Sequence, residues 1–441
     1  MVLPLGREQI EEGGEVIDGP RLQVPIQQLA ELRDRADAVR QQIVTAVVSC
    51  RTSQDHPGQS TRPCAPRGET HQARQGGKAG GTPARRRTIR RSGASRTSWY
   101  DGELVVDAWA GTADVAEERP MGPETLVPAW STGKGVAAAL VAVLVDQGVL
   151  AYDAPVARYW PRFGAEGKER ITLGHVLAHS AGLPQLPADV PRSGCSTCRP
   201  WPTGSPGSGR SGSPEARSAT TPGPTECCWQ RSCAGPPAGP ATSCCATSWP
   251  VRSGSVTSCS SMSLHLASRV ATCYDGGWAA RLERMPPGAP FFRCVPHGVL
   301  PVAELGNRDD FRRTALPANG IMTARGAARL YAALACGGEL EGVRLLSAAT
   351  LKEATTGWVS GVDRMMGTTC TMGGGFVIGD SGAKPVRPAG GFGHSGSGGS
   401  TAFADPAHRF SFALVKNRMT VPGLDARLTS EIRTALGIAS G

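Results

Sequence analysis

The segment Trp130 to Leu144, WSTGKGVAAALVAVL, constrains the fold most, because a serine and a lysine head an otherwise apolar stretch. The chain contains only six lysines, so the position of Lys134 does not reflect abundance. The apolar residues that follow predict a buried helix from Ser131 to Val149. The first turn of this helix would therefore carry two groups capable of chemistry.

The serine and the lysine of this turn form a candidate nucleophile and base. A serine hydroxyl attacks poorly until a base takes its proton. At i+3 on a helix, the amine of Lys134 lies on the same face as the hydroxyl of Ser131. The helix start also directs backbone N–H groups towards the serine. The apolar surroundings disfavour a charged ammonium, so we expect a neutral amine that acts as the base.

Simpler interpretations of this pattern exist. A serine often caps a helix, and a lysine can extend its apolar stem along a buried face. The chain has a second Ser-x-x-Lys, Ser381 to Lys384, but it lies between glycine and proline and no predicted helix holds its geometry. A Gly-x-Ser-x-Gly motif is absent from the sequence, which argues against an α/β-hydrolase.

The net charge of +10 over 441 residues does not predict a nucleic-acid partner. Segments 1–98 and 192–273 together carry +11, whereas 99–191 and 274–441 together carry −1. The basic run PARRRTIRR suits a contact with RNA or a membrane, but it is more typical of a solvated tail. No apolar run is long enough to span a bilayer, and the start lacks a secretory signal pattern, so we expect a cytoplasmic protein without a membrane partner.

Composition divides the chain into unequal parts. We predict an atypical segment over 1–98, partly disordered or mistranslated, a sheet domain over 99–165 and 318–441, and a helical domain over 166–317. Within the last, 192–273 lacks the pattern of a folded domain: no Leu or Ile occurs between Pro187 and Ser263, and nine of the fourteen cysteines lie from Cys195 to Cys273. Their spacing fits no zinc module, so we predict no metal and no organic cofactor.

The two orderly parts predict specific elements. GELVVDAWAG is typical of a strand, and ITLGHVLAHSAGL of a short helix closed by Gly182. MTARGAARLYAALA and LDARLTSEIRTALG predict amphipathic helices, and STAFAD and RFSFALVKN predict strands between them.

Three motifs together resemble the serine β-lactamase and penicillin-binding-protein superfamily, and within it the class C-like esterases called family VIII carboxylesterases. They are STGK heading a buried helix, LGHVLAHSAGLP, and GFGHSGSGGSTAFADP late in the chain, where His394-Ser395-Gly396 stands in the place of Lys-Thr-Gly. The resemblance covers 99–191 and about 266–441. It implies an α+β fold of the β-lactamase/transpeptidase type, with an antiparallel sheet flanked by helices, built from both ends of the chain, and an inserted helical domain.

The resemblance also implies roles for individual residues. Ser131 would be acylated, Lys134 would be its base, and the N–H groups of Ser131 and Ser397 would form the oxyanion hole. His394, Ser395 and Gly396 would line the opposite wall of the substrate site. The alternative for His394 is an exposed strand histidine, and we expect His175 and His179 to be structural.

One departure from the superfamily pattern is the absence of its proton-relaying tyrosine. None of the five tyrosines falls in the interval where that residue belongs. Reading the codons implied by Cys227, Cys228 and Trp229 from their third base gives Leu-Leu, and the shifted reading of the surrounding stretch is compatible with YHAGPYGVLLAE. We hypothesise that about 192–266 is translated out of frame; a genuine disordered insertion is the alternative.

The predicted reaction is hydrolysis of small carboxylic esters through an acyl-enzyme on Ser131. A β-lactamase or D,D-peptidase would use the same nucleophile, and a non-catalytic scaffold would keep only the fold. A lysine in the third motif would present a permanent charge to a substrate carboxylate, whereas a histidine is largely neutral near pH 7. We therefore expect an uncharged small-molecule ester as the partner. The sequence does not indicate the acyl or alcohol specificity or the oligomeric state.

Overall fold

The computed structural model describes residues 92–185, 264–312, 317–380, 386–421 and 423–438. Several predictions lie outside these residues. They concern the N-terminal segment up to residue 91, the cysteine-rich stretch from Cys195 to Cys259 with its frame hypothesis, and the second Ser-x-x-Lys at Ser381.

A nine-stranded sheet forms the centre of the described fold, and each pair of neighbouring strands in it is antiparallel. Its order is β3-β2-β1-β14-β13-β12-β11-β10-β9, so strands from the two ends of the described chain meet where β1 pairs with β14. Three two-stranded sheets pair β4 with β6, β5 with β15 and β7 with β8. The strands are β1 (Gly93–Tyr100), β2 (Glu103–Asp114), β3 (Arg119–Pro120), β4 (Val127–Trp130), β5 (Tyr274–Asp275), β6 (Gly320–Met322), β7 (Glu339–Leu340), β8 (Val343–Arg344), β9 (Val359–Val362), β10 (Thr369–Met372), β11 (Val377–Ile378), β12 (Phe392–Ser395), β13 (Thr401–Asp405), β14 (Phe410–Lys416) and β15 (Arg418–Met419).

Three of the helices are long, and the others in the described residues are short. They are α1 (Thr132–Asp146), α2 (Val156–Tyr159), α3 (Leu173–Leu177), α4 (Trp278–Glu283), α5 (Pro290–Cys294), α6 (Ala303–Gly306), α7 (Asp309–Arg312), α8 (Ala324–Ala335), α9 (Ala348–Thr355) and α10 (Leu424–Ala435). Single 3-10 turns occupy Pro161–Gly164, Leu264–Arg269, His297–Val299, Pro317–Asn319 and Pro406–His408. Among the described helices, none is long and apolar enough to cross a bilayer.

The alternation of large and small residues along β13 and β14 separates two cores. Ala402 and Ala404 contribute to a core that also contains α1 and α8, and their small side chains let helices approach the sheet. Phe403, Phe410 and Phe412 point to the other face, where they pack with Leu428 and Ile432 of α10. The sheet therefore lies between helices on both faces, which confirms the predicted α+β class.

The sheet begins earlier than predicted. β1 starts at Gly93, so residues 93–98, which were assigned to the atypical segment, belong to a strand between β2 and β14. The boundary at 99 was too late because this strand buries Ser95, Thr97 and Ser98 rather than aliphatic residues. The proposed limits of the helical domain at 166 and 317 stay predictions.

The predicted helices form, with two changes at their ends. α1 ends at Asp146, three residues before the predicted end, and Gly148 with φ 69° follows it. α3 ends at Leu177, so Gly182 does not close it. His179 takes the left-handed conformation there, with φ 56°, which is uncommon for a residue with a side chain.

Candidate active site

A strained turn between β4 and α1 places Ser131 at the start of the helix. Trp130 has φ 53°, a left-handed conformation that costs free energy for a residue other than glycine. Ser131 is the N-cap of α1, yet its side chain makes no capping hydrogen bond. Ser131 thus occupies the N-cap position, but its hydroxyl does not act as the capping group. The hydroxyl stays available to other groups.

Lys134 reaches back to this serine along one face of α1. Its Nζ lies 3.4 Å from Ser131 Oγ, and its backbone N–H donates to the Ser131 carbonyl at 3.0 Å. Both residues are half-buried. The contact is long for a hydrogen bond, but it places the lysine nitrogen within reach of the serine hydroxyl. The sequence pattern thus predicted the pair that the fold brings together.

The end of β12 presses against the turn that carries Ser131. A β-carbon added to Gly396 would lie 2.0 Å from the carbonyl oxygen of Ala129, so only glycine fits there. Thr132 Oγ1 donates to the Ser400 carbonyl at 3.2 Å, and that carbonyl also accepts from the Gly396 N–H at 2.8 Å. These contacts fasten the turn that contains Ser397 to the first residues of α1.

His394 is buried rather than exposed on its strand. Only 8% of its surface is accessible. Its Nδ1 lies 2.8 Å from the Ser395 carbonyl oxygen, and its Nε2 has no hydrogen-bond partner among the described residues. Burial, reinforced by the nearby Lys134 ammonium, holds the pKa of His394 well below its usual range. The alternative of an exposed histidine is wrong, and the ring is neutral near pH 7.

The motif that follows α3 contributes a second neutral histidine. The Nδ1 atom of His179 is buried and has no hydrogen-bond partner among the described residues, although the residue as a whole is only half-buried. Burial and the charge of Lys134 lower the pKa of His179 to about 3. His175, in contrast, closes a reciprocal capping box with Thr172. We expected both histidines to be structural, and the proximity of His179 to Lys134 is a feature that its sequence spacing did not indicate.

Ser395 carries a charged neighbour that the sequence analysis missed. Arg387 is 6% exposed, donates from Nη1 to Ser395 Oγ at 3.2 Å and donates from Nε to the Gly379 carbonyl at 2.9 Å. Ser395 Oγ also lies 2.9 Å from Thr401 Oγ1. Ser395 itself is exposed. A buried guanidinium thus stands directly behind an exposed hydroxyl of the predicted substrate wall.

Tyr331, a residue of α8, packs against the buried face of α1. A β-carbon added to Gly135 would be 1.9 Å from Tyr331 Oη and 3.5 Å from the His394 β-carbon. The Tyr331 hydroxyl has no hydrogen-bond partner among the described residues, so it bonds neither to Ser131 nor to Lys134. Burial raises the pKa of this phenol. Tyr331 therefore does not take the place of the missing proton-relaying tyrosine.

The described residues contain no group of three or more His, Cys, Asp and Glu side chains placed to hold a metal ion. Cys273, which follows the cysteine-rich stretch in sequence, is buried with a free thiol. The arrangement at the head of α1 consists of a hydroxyl, an amine, two neutral imidazoles and a glycine-rich turn. These groups suit nucleophilic acyl transfer.

Comparison with known proteins places this arrangement in a family. Residues 75–214 and 266–436 match the β-lactamase family. The esterase/β-lactamase LipL of Mycobacterium tuberculosis is 30% identical over 363 residues, which cover 75% of this chain and 78% of LipL.

Solved structures agree with this match. A family VIII carboxylesterase has a TM-score of 0.63 at 27% identity, over 78% of this chain and 92% of its own. A penicillin-binding protein homologue from Caulobacter crescentus has a TM-score of 0.58 at 28% identity, over 77% of this chain and 92% of its own. These likenesses confirm the β-lactamase/transpeptidase type of fold and the resemblance to the esterase branch. Because the family match spans more than half of the sequence, and LipL is 30% identical over 75% of this chain and 78% of its own, the chain belongs to the β-lactamase family.

Proposed function

We propose that the protein is a serine carboxylesterase that forms an acyl-enzyme on Ser131. The observation that carries the proposal is the 3.4 Å contact between Lys134 Nζ and Ser131 Oγ at the start of a buried helix. Membership of a family of hydrolases and the likeness to LipL support it. The proposed mechanism uses only side chains and backbone groups of the protein.

The reaction proceeds in two halves. Ser131 Oγ attacks the ester carbonyl carbon while its proton passes to Lys134 Nζ, the base that the 3.4 Å contact provides. The tetrahedral intermediate collapses, the bond to the alcohol oxygen breaks, and the alcohol leaves with the proton that Lys134 held. Water then attacks the acyl carbon and gives a proton to Lys134. The bond between that carbon and Ser131 Oγ breaks, Lys134 returns the proton to Oγ, and the carboxylic acid leaves.

The oxyanion of each intermediate needs donors that are already in place. We assign this role to the backbone N–H groups of Ser131 and Ser397. The fastening of Gly396 against Ala129, and of Ser400 to Thr132, supports the assignment because it fixes the second donor relative to the first. Such preorganised donors stabilise charge that exists only in the transition state, and removing one costs about 10²- to 10³-fold in kcat.

The neutral wall at His394 favours an uncharged substrate. A buried imidazole without charge offers no ion pair to a carboxylate, whereas an ester group needs none. We therefore favour small carboxylic esters over β-lactams and cell-wall peptides, which carry a carboxylate.

Acylation by β-lactams is the second candidate, and Arg387 is the observation that favours it. The guanidinium donates to Ser395 Oγ, which makes that hydroxyl a stronger hydrogen-bond donor to a substrate carboxylate. Asp380 lies 3.8 Å from Arg387 Nη2 and reduces this charge in part. Comparison of kcat/KM for the anionic lactam nitrocefin and for uncharged p-nitrophenyl butyrate separates the candidates. If the lactam is the better substrate, Arg387→Met should lower its kcat/KM more than that of the ester, because the charge behind Ser395 is lost.

The test of the proposed function is ester turnover by the full chain and by two matched variants. Ser131→Ala should reduce hydrolysis of p-nitrophenyl butyrate to background while the circular dichroism spectrum stays unchanged. Ser381→Ala removes the serine of the other Ser-x-x-Lys and should retain wild-type turnover. Wild-type activity in Ser131→Ala would refute the assignment, and loss of activity in Ser381→Ala alone would transfer it to the second motif.

A further inference from the structure

A lysine ends the buried strand β14, on the face that otherwise carries aromatic and aliphatic residues. Strand residues two apart share a face, so Lys416 continues the row of Phe412 and Leu414 towards α10. Only 6% of Lys416 is exposed. Placing an ammonium there costs desolvation free energy, so this position requires contacts that compensate the charge.

Its ammonium lies against the glycine turn that follows Ser397. A β-carbon added to Gly399 would be 2.6 Å from Lys416 Nζ and 2.8 Å from Lys416 Cε. On the other side of the same turn, a β-carbon added to Gly398 would be 2.8 Å from Met419. Both glycines are left-handed, with φ 81° and 92°. The turn is therefore enclosed by Lys416 and Met419, and no side chain fits between.

Two sets of hydrogen bonds connect Lys416 to the same turn, one through Thr420 and one through Ser400. Lys416 Nζ donates to Thr420 Oγ1 at 2.5 Å, and the Thr420 N–H donates to the Gly398 carbonyl at 3.0 Å. The Lys416 N–H donates to Ser400 Oγ at 3.3 Å. Asp425, buried at the start of α10, attracts the charge of Lys416. The Lys416 ammonium thus packs against the turn between Gly396 and Ser400 and stabilises it.

We propose that Lys416 is a positioning residue for the oxyanion hole, which with Thr420 fixes the Ser397 N–H in the direction of the developing oxyanion. The inference rests on the proposed esterase function. Lys416 does not touch substrate in this role; it acts through Gly398 and Gly399. Loss of the ammonium would let the turn relax and would misalign one of the two donors.

The first variant is Lys416→Met, which keeps an unbranched side chain of similar length and removes the charge. Its matched control is Lys352→Met, at an exposed lysine of α9. For Lys416→Met we expect kcat for p-nitrophenyl butyrate to fall about 10- to 100-fold with KM within about twofold, since part of one oxyanion donor is lost. Rates are divided by the fraction of Ser131 that a fluorophosphonate titrates, so that misfolded protein does not count.

The second readout compares an oxoester with its thionoester. Sulfur is a weaker hydrogen-bond acceptor than oxygen, so a well-aligned oxyanion hole favours the oxoester. Lys416→Met should reduce that preference, and a merely structural role would leave it unchanged. Thr420→Val should reduce it in the same direction, and Thr420→Ser, which keeps the hydroxyl, should restore it.

Turnover per titrated site within twofold of wild type, with an unchanged oxoester preference, would overturn the inference. If Lys416→Met fails to fold, the difference between Thr420→Val and Thr420→Ser decides the question alone, and equal preferences in the two would overturn it. Absence of both ester turnover and labelling in the unsubstituted protein would refute the proposed function itself. Normal turnover and labelling with unaffected variants would refute only the role of Lys416.

Discussion

Gly135 faces the hydroxyl of Tyr331 so closely that a β-carbon on the glycine would lie 1.9 Å from Tyr331 Oη. This relationship sets the distance between α1, which carries Ser131 and Lys134, and α8 beneath it. The hydroxyl is buried and has no hydrogen-bond partner in the described residues. A buried polar group without a partner costs free energy, so Tyr331 stabilises the protein by its ring and not by its hydroxyl.

The first prediction concerns this pair. Gly135→Ala should lower the free energy of unfolding by about 1–3 kcal/mol, because the rigid phenol cannot move away. Tyr331→Phe should leave stability unchanged or raise it by about 1 kcal/mol. The double variant should recover most of the loss, since the nearest remaining ring carbon lies 3.2 Å from the new β-carbon. Urea unfolding measures the free energy of unfolding of all three variants. If the change in the double variant equals the sum of the two single changes, the direct clash is contradicted.

The same variant tests the catalytic standing of Tyr331. Tyr331→Phe should retain ester turnover within about twofold, because its hydroxyl does not contact Ser131 or Lys134. A fall of 100-fold in kcat without loss of fold would show that Tyr331 relays protons after all.

Lys134→Ala removes the base. We expect kcat for p-nitrophenyl butyrate to fall about 10²- to 10⁴-fold, the range typical of a general base. The remaining rate should rise in proportion to hydroxide concentration, because solution must then take the serine proton. Stopped-flow rates from pH 6 to 10 measure this, with Lys352→Ala as the control for a lysine on an exposed surface. A pH profile of unchanged shape in Lys134→Ala would exclude the lysine as base.

Acid should destabilise the protein through its buried histidines. Burial lowers the pKa of His179 to about 3, whereas an unfolded histidine has a pKa of about 6.5. Below pH 6.5 the unfolded state therefore binds a proton that the folded state excludes, and stability falls as the pH decreases towards 3. The loss at pH 5 is about 2 kcal/mol for one such histidine.

The variant His179→Asn tests this pH effect, since asparagine tolerates the left-handed backbone at this position. Its unfolding free energy should depend less steeply on pH between 6.5 and 4 than that of the wild type, by about one proton. The variant should keep part of the dependence of unfolding free energy on pH, because the pKa of His394 is also lowered by burial. Parallel curves for variant and wild type would contradict the buried, neutral His179.

A buried ion pair should hold α10 to the sheet. Arg433 Nη1 lies 2.5 Å from Asp405 Oδ2, with the two side chains 5% and 1% exposed. Arg433→Ala should lower the free energy of unfolding by about 3 kcal/mol, because the buried Asp405 carboxylate loses its guanidinium and keeps the 2.8 Å contact with His408 Nδ1. Arg427→Ala breaks an exposed pair with Glu431 on the same helix and should cost at most about 0.5 kcal/mol. Equal melting temperatures of the two variants would contradict the role of the buried pair.

Much of the fold followed from local patterns in the sequence. The apolar run after Lys134, the amphipathic repeat of α8 and the alternation in β14 each predict an element that forms. β1 was missed because its buried positions hold Ser95 and Thr97, which periodicity of apolar residues does not detect. The end of α3 was misplaced because His179 already adopts the left-handed conformation, three residues before the left-handed Gly182.

The candidate site was predictable where its residues are neighbours in sequence. Ser131 and Lys134 lie one helical turn apart, so spacing alone indicated their contact. The partners from distant elements were not indicated. Arg387 contacts Ser395 across a turn, and Lys416 contacts Gly399 from the end of β14. Such contacts depend on strand register and packing, which no local pattern in one sequence contains.

The most direct test of the account is intact mass spectrometry of the full chain treated with a fluorophosphonate, followed by peptide mapping. The account predicts one phosphonyl group, on Ser131, and none on Ser131→Ala. The mass of the untreated protein from its native host also bears on the frame hypothesis, because the chain as written has a mass of 45.9 kDa. A chain that folds but takes no phosphonyl group, or takes it on another residue, would contradict Ser131 as the nucleophile.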